Sequence, residues 1–136
     1  MNYHYHEGAA IKHYQQVGNH AAIATENPHH LVTSLLEGAI ERIVLAKGHV
    51  NGGAIKEKDK CIRSAMSIID GLRIALNKDA GGDIAANLDR LYDYMNRKLL
   101  EANLRNDIAV LDEVQGLLSQ LKDAWGSIGA PAPTGG

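Results

Sequence analysis

The sequence is poor in cysteine, contains no long apolar run and has no excess of charge of one sign. Its one cysteine, Cys61, excludes an intramolecular disulfide. No continuous apolar stretch approaches the roughly 18 residues of a membrane span, so we expect no direct membrane insertion. The formal net charge of -2 provides no overall basic surface, so we expect no nucleic-acid partner. The polar start of the chain is unlike a signal peptide, and we expect a cytoplasmic protein.

Proline is also scarce, and its positions favour a helical fold. The three prolines, Pro28, Pro131 and Pro133, leave residues 29–130 free of helix breakers, and threonine and valine are few. The chain has 136 residues, of which 45% are hydrophobic and 22% charged, as in one ordinary globular domain. A chain of this length buries roughly two-thirds of its unfolded surface, so it needs no disulfide or metal to fold. We therefore predict an all-α domain.

Apolar residues recur at helical spacing in four stretches of about 20 residues. The predicted limits are Asn27-Pro28 to Gly48, the turn at residues 51–53 to residues 79–82, Asp83 to Ala102, and residues 106–107 to Trp125. The predicted buried stripes are Val32, Leu35, Leu36, Ala39, Ile40 and Ile43; Cys61, Ala65, Ile68, Ile69, Leu72 and Leu76; Ile84, Leu88, Leu91, Tyr92, Met95, Leu99 and Ala102; and Val110, Leu111, Val114, Leu117, Leu118, Leu121 and Trp125. Short connections favour antiparallel neighbours, and hence an antiparallel up-down four-helix bundle with a short N-terminal helical segment.

The chain divides into three parts on this interpretation. Residues 1–26 form a mobile N-terminal segment with a short helix, residues 27–128 the bundle, and residues 129–136 a flexible C-terminal tail. Gly38, Gly71 and Gly116 each lie near the middle of a predicted helix, where glycine costs about 1 kcal/mol relative to alanine. We prefer tight internal packing as the explanation, with close approach of a bound chain as the alternative.

The titratable residues do not form a recognisable metal or catalytic site. Four of the seven histidines, His4, His6, His13 and His20, lie ahead of the bundle, and His29 and His30 are adjacent. Glu26 and His29 match the Glu-x-x-His pattern of di-iron bundles, but Pro28 begins a helix between them and no second copy exists. Cys61 lies on an apolar stripe, as a small buried hydrophobe does. Lys56–Lys60 and the pairs around Asp89, Asp93 and Arg97 are interpreted as solvated. We expect no metal, no cofactor and no enzymatic activity.

Several apolar residues lie off the buried stripes when angles are counted at 100° per residue. They are Leu31, Val44, Leu45, Met66, Ile74, Tyr94, Leu100, Leu104 and Ile108. Two explanations have equal weight. Either these side chains are individually exposed or widen the core, or they line grooves that hold an amphipathic helix or an extended chain. Ile11, Tyr14 and Val17 of the short N-terminal helix are themselves candidates for such a groove.

Particular strings then point to a family. They are Asn27-Pro28-His29-His30-Leu31-Val32, Leu35-Leu36-Glu37-Gly38-Ala39, Ile68-Ile69-Asp70-Gly71-Leu72, Gly81-Gly82-Asp83-Ile84-Ala85, Leu91-Tyr92-Asp93-Tyr94-Met95, Ala102-Asn103 with Asp107, Glu113-Val114, Leu117-Leu118 and Ala124-Trp125. Their order and spacing resemble the flagellin export chaperone, the FliS family, from about Ile11 to Trp125. The chain departs at Leu36-Glu37, where the family commonly has an aromatic residue and an aspartate.

The resemblance implies a cytoplasmic helical bundle that binds the disordered C-terminal segment of flagellin, prevents premature polymerisation and assists delivery to the flagellar type III export apparatus. It also implies contact with the export-gate membrane protein when flagellin is bound. We assign flagellin contact to Leu31, Val44, Met66, Tyr94, Leu100 and Leu104. The resemblance assigns to Ile11, Tyr14 and Val17 an N-terminal lid, and Tyr14 matches a family tyrosine associated with the export gate.

Two other classes of protein stay open on the sequence alone. One is a structural or regulatory bundle that dimerises through its apolar excess, and the other is a metal-dependent bundle enzyme. The sequence also leaves open a monomer or a weak dimer, and an anti-sigma factor or a co-chaperone as a further partner.

Overall fold

The computed structural model of the chain describes residues 28–129. These residues form four helices and no strand. The helices are α1 (Pro28–Asn51), α2 (Ile55–Ile74), α3 (Lys78–Arg105) and α4 (Ile108–Gly129). None of the four is long and apolar enough to cross a membrane. The predicted short helix, the segment over residues 1–26 and the tail beyond Gly129 lie outside the described residues.

Each helix packs against its neighbours in the chain, and α1 also packs against α4. Directions follow from side-chain pairs at the two ends of these contacts. His29 at the start of α1 bonds Trp125 near the end of α4, whereas Lys47 near the end of α1 pairs with Asp112 in the first turns of α4. Every neighbour is antiparallel, since short turns join the other three pairs. The predicted up-down four-helix bundle is confirmed.

The two ends of the bundle are used below as landmarks. The upper end holds the start of α1, the end of α2, the start of α3 and the end of α4. The lower end holds the two short connections at residues 52–54 and 106–107.

The core runs the length of the bundle and receives side chains from all four helices. Its fully or almost fully buried members are Leu35, Leu36, Ala39, Ile43, Ala46, Ile62, Ala65, Ile68, Ile69, Leu72, Tyr92, Met95, Leu99, Ala102, Val110, Leu111, Val114 and Leu118. Burial raises the pKa of Tyr92 to about 12, so its hydroxyl stays neutral across the physiological range. Most of the predicted stripe residues are in this core, because an amphipathic helix turns its apolar face toward the interior and its polar face toward solvent.

The prediction for the end of α2 is wrong. The helix ends at Ile74 rather than at residues 79–82, and the N–H of Ala75 closes it on the carbonyl of Gly71 at 3.1 Å. Leu76 therefore lies in the connection, although it still packs against the core. Residues 78–81 form the first turn of α3, and Gly82 interrupts the regular helical geometry after it with φ 55° and ψ -127°.

Ile84 is a second wrong prediction, because its side chain is 71% exposed rather than buried. Arg73 pairs with Asp89 across the α2–α3 contact, so Ile84, five residues before Asp89, lies beyond the point where α2 ends.

The predicted cap between α3 and α4 is confirmed. Asp107 Oδ1 accepts hydrogen bonds from the N–H groups of Ala109 at 3.0 Å and Val110 at 3.4 Å, which satisfies two free donors of the first turn of α4. Asn106 takes the left-handed conformation, with φ 51°, that ends α3.

Gly116 does not have the tight packing that we preferred from the sequence. It lies inside α4, and a Cβ added there meets no atom within 4 Å among the described residues. Packing within the bundle therefore does not explain this glycine.

Gly116→Ala should stabilise the bundle by about 1 kcal/mol, because alanine lowers the conformational entropy of the unfolded chain and meets no clash in the folded one. Urea unfolding monitored by circular dichroism measures the change. Gly82→Ala is the matched control, since Gly82 also has free space but its φ of 55° strains any L side chain. That variant should lose stability. An unchanged or lowered urea midpoint for Gly116→Ala would contradict the argument.

Candidate functional site

Large apolar side chains remain exposed on a bundle whose core is already full. Those with at least 38% exposure are Leu31, Val44, Leu45, Ile55, Ile74, Ile84, Leu100 and Leu104. Four of the six residues assigned to partner contact from the sequence, Leu31, Val44, Leu100 and Leu104, are in this set. Their side chains are therefore available to a partner, which is the first requirement of the assignment.

The other two assigned residues are partly engaged within the bundle. Met66 packs against the core, and its carbonyl accepts a hydrogen bond from Asn96 Nδ2 at 3.3 Å. The Tyr94 hydroxyl donates to Glu113 Oε2 on α4, and this bond raises the pKa of Tyr94. Arg97 and Lys98 lie beside the Tyr94 ring, at 6.0 and 5.9 Å from its centre. Tyr94 thus spans α3 and α4.

Met66, Leu100 and Leu104 come together on the outer side of the α2–α3 pair. The bond between Met66 and Asn96 places Met66 about one helical turn from Leu100, and Leu104 follows one further turn along α3. The lower half of this side is therefore apolar. We call it the α2–α3 face.

The remaining assigned residues lie elsewhere. Val44 is three residues before Lys47 and seven after Glu37, and both of these pair with α4 residues, so Val44 lies on the α4 side of α1. Leu31 lies at the upper end, in the first turns of α1. The six residues therefore occupy several sides of the bundle and do not form one groove.

A buried lysine lies beneath the lower half of the α2–α3 face. Lys58 is only 3% exposed, and its ammonium donates to the carbonyl oxygen of Asn103 at 2.8 Å and to Asn103 Oδ1 at 2.7 Å. That carbonyl belongs to the last turn of α3, where carbonyls lack a helical partner and the helix dipole favours a cation. Lys58 thus caps α3 from the side.

The network continues through Asp59. Asn103 Nδ2 donates to Asp59 Oδ1 at 2.8 Å, and Arg63 Nε donates to Asp59 Oδ2 at 2.9 Å. Partial burial raises the pKa of Asp59, but the bonds from Asn103 and Arg63 outweigh it and leave that pKa below its usual value of 3.8. Asp59 is therefore ionised at neutral pH, and Lys58, Asp59 and Asn103 are all hydrogen-bonded beneath the face.

The sequence interpretation of residues 56–60 as a solvated helix start is wrong for Lys58. Helical spacing could have predicted the burial of Lys58, because Lys58 precedes Ile62 by four residues and therefore lies on the buried stripe. Periodicity alone does not supply the acceptor, Asn103, which is 45 residues away.

The upper half of the α2–α3 side is ionic. Arg73 Nε lies 2.7 Å from Asp89 Oδ1, and its Nη1 lies 3.4 Å from Asp93 Oδ1, while Arg97 pairs with Asp93 at 3.0 Å. We expected Asp89 and Asp93 to be a solvated face of α3. They instead bind an arginine of α2, and this charge pairing separates the apolar lower half from the upper end.

A clasp joins the two ends of the bundle segment at the upper end. The rings of His29 and Trp125 stack with centres 4.9 Å apart, Trp125 Nε1 donates to the His29 carbonyl at 3.0 Å, and His29 Nε2 lies 2.9 Å from the Trp125 carbonyl. The N-terminal residues Ile11, Tyr14 and Val17 lie outside the described residues, and the chain that carries them joins α1 beside this clasp.

Residues 28–129 contain one cysteine and no cluster of metal-ligating side chains. No group of three His, Cys, Asp or Glu side chains in that range is arranged to hold a metal ion. Cys61 is partly buried, and burial raises the pKa of its thiol, which keeps it in the weakly nucleophilic protonated form.

Comparison with known proteins gives the following relatives. Residues 10–132 match the family described as Flagellar protein FliS. The chain is 46% identical over 119 residues to the flagellar secretion chaperone FliSB of Pseudomonas aeruginosa, an alignment that covers 88% of this chain and 94% of the relative. It is 42% identical over 125 residues to the flagellar secretion chaperone FliS of Salmonella typhimurium, covering 91% and 93%. Identity to the Bacillus subtilis protein of that name is 32% over 104 residues, covering 76% and 77%.

Lys58→Met should lower the free energy of unfolding by about 1–3 kcal/mol, because it leaves buried acceptors on Asn103 without a donor. Lys60→Met is the matched control. Lys60 is exposed on the same helix, so its loss should change stability by no more than about 0.5 kcal/mol. Chemical denaturation of both variants gives the comparison, and equal midpoints would show that the buried ammonium contributes nothing.

Proposed function

The chain belongs to the FliS family of flagellar secretion chaperones, and from this premise we propose that it binds the C-terminal segment of flagellin in the cytoplasm. In doing so it prevents premature polymerisation and assists delivery of the subunit to the flagellar type III export apparatus. Binding requires no cofactor, since apolar contact and hydrogen bonds suffice.

One observation carries this proposal: Leu31, Val44, Leu100 and Leu104 stay exposed outside the buried core. Scattered exposed apolar atoms are ordinary, but Leu100 and Leu104 are 50% and 77% exposed at successive turns of one helix. An amphipathic client offers the matching pattern, with apolar residues at i and i+4. The terminal segments of flagellin are amphipathic and lack a folded partner before assembly, so the bundle substitutes for that partner.

The distribution of these side chains supports a client that follows more than one side of the bundle. Val44 lies on the α4 side of α1, whereas Leu104 lies at the lower end of α3, and α1 and α3 are not packed as neighbours in the ring of helices. A single short helix in one groove does not reach both. We therefore propose that the client wraps around the bundle.

The free energies expected for apolar burial and for ordering the client agree with binding that is useful and reversible. Each large apolar side chain that becomes buried contributes about 1.5–3 kcal/mol. Ordering the client costs several kcal/mol, so three or four such contacts give a moderate net affinity.

The N-terminal segment supplies the regulatory part of the proposal. Ile11, Tyr14 and Val17 form a lid that covers part of the apolar surface until flagellin displaces it. Tyr14 then becomes available to the export-gate membrane protein. Entry of this segment beside the clasp of His29 and Trp125 supports the proposal, because it anchors the lid at one end of the bundle.

Titration calorimetry with a peptide of the last forty or so residues of the organism's own flagellin tests the function. We expect one-to-one binding with a negative heat-capacity change between two temperatures, the mark of apolar burial. The double variant Leu100→Gln/Leu104→Gln should weaken binding about tenfold or more, since two apolar contacts are lost.

Ile74→Gln/Ile84→Gln is the matched control for that variant. Ile74 and Ile84 are 68% and 71% exposed at the upper end. The control therefore makes the same kind of apolar-to-polar change as the first variant, at a different place on the bundle. The control should bind with nearly unchanged affinity. A folded protein that does not bind the peptide, or that only self-associates with rising concentration, would contradict the proposed function and favour a dimerising bundle.

Deletion of residues 2–18 tests the lid. Removal of a competing segment should strengthen peptide binding or leave it unchanged, because the fraction of open surface rises. A loss of tenfold or more, about 1.4 kcal/mol, would show that the segment contributes to binding rather than covering the surface.

A further inference from the structure

Three cations without an ion-pair partner gather at the lower end. Lys56, Lys60 and Arg105 form no ion pair and no side-chain hydrogen bond within residues 28–129, whereas most other described lysines and arginines are paired. Lys56 and Lys60 lie one turn apart at the start of α2, and Arg105 is the last residue of α3. Asn103 accepts a hydrogen bond from Lys58 and donates one to Asp59, and these bonds hold the two helix ends side by side.

The same place carries exposed apolar side chains. Ile55 is 48% exposed beside Lys56, and Leu104 is 77% exposed beside Arg105, with Leu100 one turn further along α3. We call the set of Ile55, Lys56, Lys60, Leu100, Leu104 and Arg105 the lower-end patch. It is apolar with a cationic margin on a chain whose formal net charge is -2.

None of the described carboxylates forms an ion pair with Lys56, Lys60 or Arg105. Asp59 is bonded to Asn103 and Arg63, Glu101 pairs with Lys98, and Asp107 caps α4. Glu57, in the first turn of α2, adds to the effect of burial in raising the pKa of the Cys61 thiol and forms no ion pair with Lys56 or Lys60. The local excess of positive charge is therefore free to meet a partner.

We propose that the lower-end patch binds a helical segment of the client that carries acidic side chains beside its apolar ones. This inference rests on the proposed function and adds the chemistry of the client and the place where that part of it docks. Leu100 and Leu104 receive the apolar side chains, and Lys56, Lys60 and Arg105 attract the carboxylates. Charges at the edge of an interface act mainly through long-range attraction. These three cations therefore speed association, and salt weakens their effect.

A protein segment fits the patch better than an anionic membrane does. Membrane-surface helices combine a long basic face with a broad apolar face. The lower-end patch offers three cations and three exposed apolar side chains, spaced over about two to three turns of a helix, which is the scale of one bound peptide helix.

The test uses the full-length protein and the flagellin C-terminal peptide, with affinity measured at 0.1 M and 1 M salt, where the screening length falls from about 10 Å to about 3 Å. Lys56→Gln/Lys60→Gln should weaken binding about tenfold at the lower salt and less than about twofold at the higher. Arg90→Gln/Lys122→Gln is the control, since it removes the same charge from exposed or partly exposed positions nearer the upper end. It should leave affinity within about twofold of the wild type.

A second peptide, with its acidic residues changed to the matching amides, completes the test. The wild-type protein should bind it as weakly as Lys56→Gln/Lys60→Gln binds the original, and the variant should show no further loss. Equal losses in the variant and the control, or no loss in either while the wild type binds the peptide, would overturn the patch and leave the proposed function standing. Absence of any wild-type binding would overturn both. Binding of the wild type to phosphatidylglycerol vesicles that the variant abolishes, with peptide affinity unchanged, would assign the patch to a membrane and overturn the inference.

Discussion

The contact between α1 and α4 is the constraint on which the rest of the bundle depends. Those two helices are the farthest apart in the described sequence, and they are joined at the upper end by His29 and Trp125 and at the lower end by Lys47 and Asp112. Once they meet, α2 and α3 are held between them by short connections, and every helix has one face inward. The outward faces then have no partner within the bundle, so the closure that completes the core also determines which apolar side chains are left for a client.

Helical periodicity alone was enough to predict the four helices, their antiparallel order and most of the core. It failed where the answer depended on a neighbour rather than on the helix itself. Ile84 has the spacing of a buried residue but lies past the end of α2 at Ile74. Lys58 has the chemistry of a surface residue but reaches Asn103, and Asp89 looks solvated until Arg73 is placed opposite it. For the candidate site, the same counting found exposed Leu100 and Leu104, but not that Val44 and Leu31 lie on other sides.

The α2–α3 side shows how one pair of helices serves two purposes. Its upper half is tied by ion pairs among Arg73, Asp89, Asp93 and Arg97, which hold the helices in register without needing a covering layer. In its lower half Leu100 and Leu104 stay exposed. There the buried hydrogen bonds among Lys58, Asn103 and Asp59 connect α2 to α3 from beneath. Polar groups thus connect α2 and α3 in both halves: at the surface in the upper half, and beneath the apolar surface in the lower half. An apolar surface stays exposed for a client without loosening the two helices that carry it.

The chain has one tryptophan, and it is the residue that stacks on His29 at the clasp. The emission of the protein on excitation of indole therefore comes from a single place, where the first turn of α1 meets the last turns of α4. Its colour and intensity depend on the imidazole ring against it and on the two carbonyl contacts around it. A native spectroscopic probe is built into the join that closes the ring of helices, beside the point where the N-terminal segment enters, and no label is needed to follow events there.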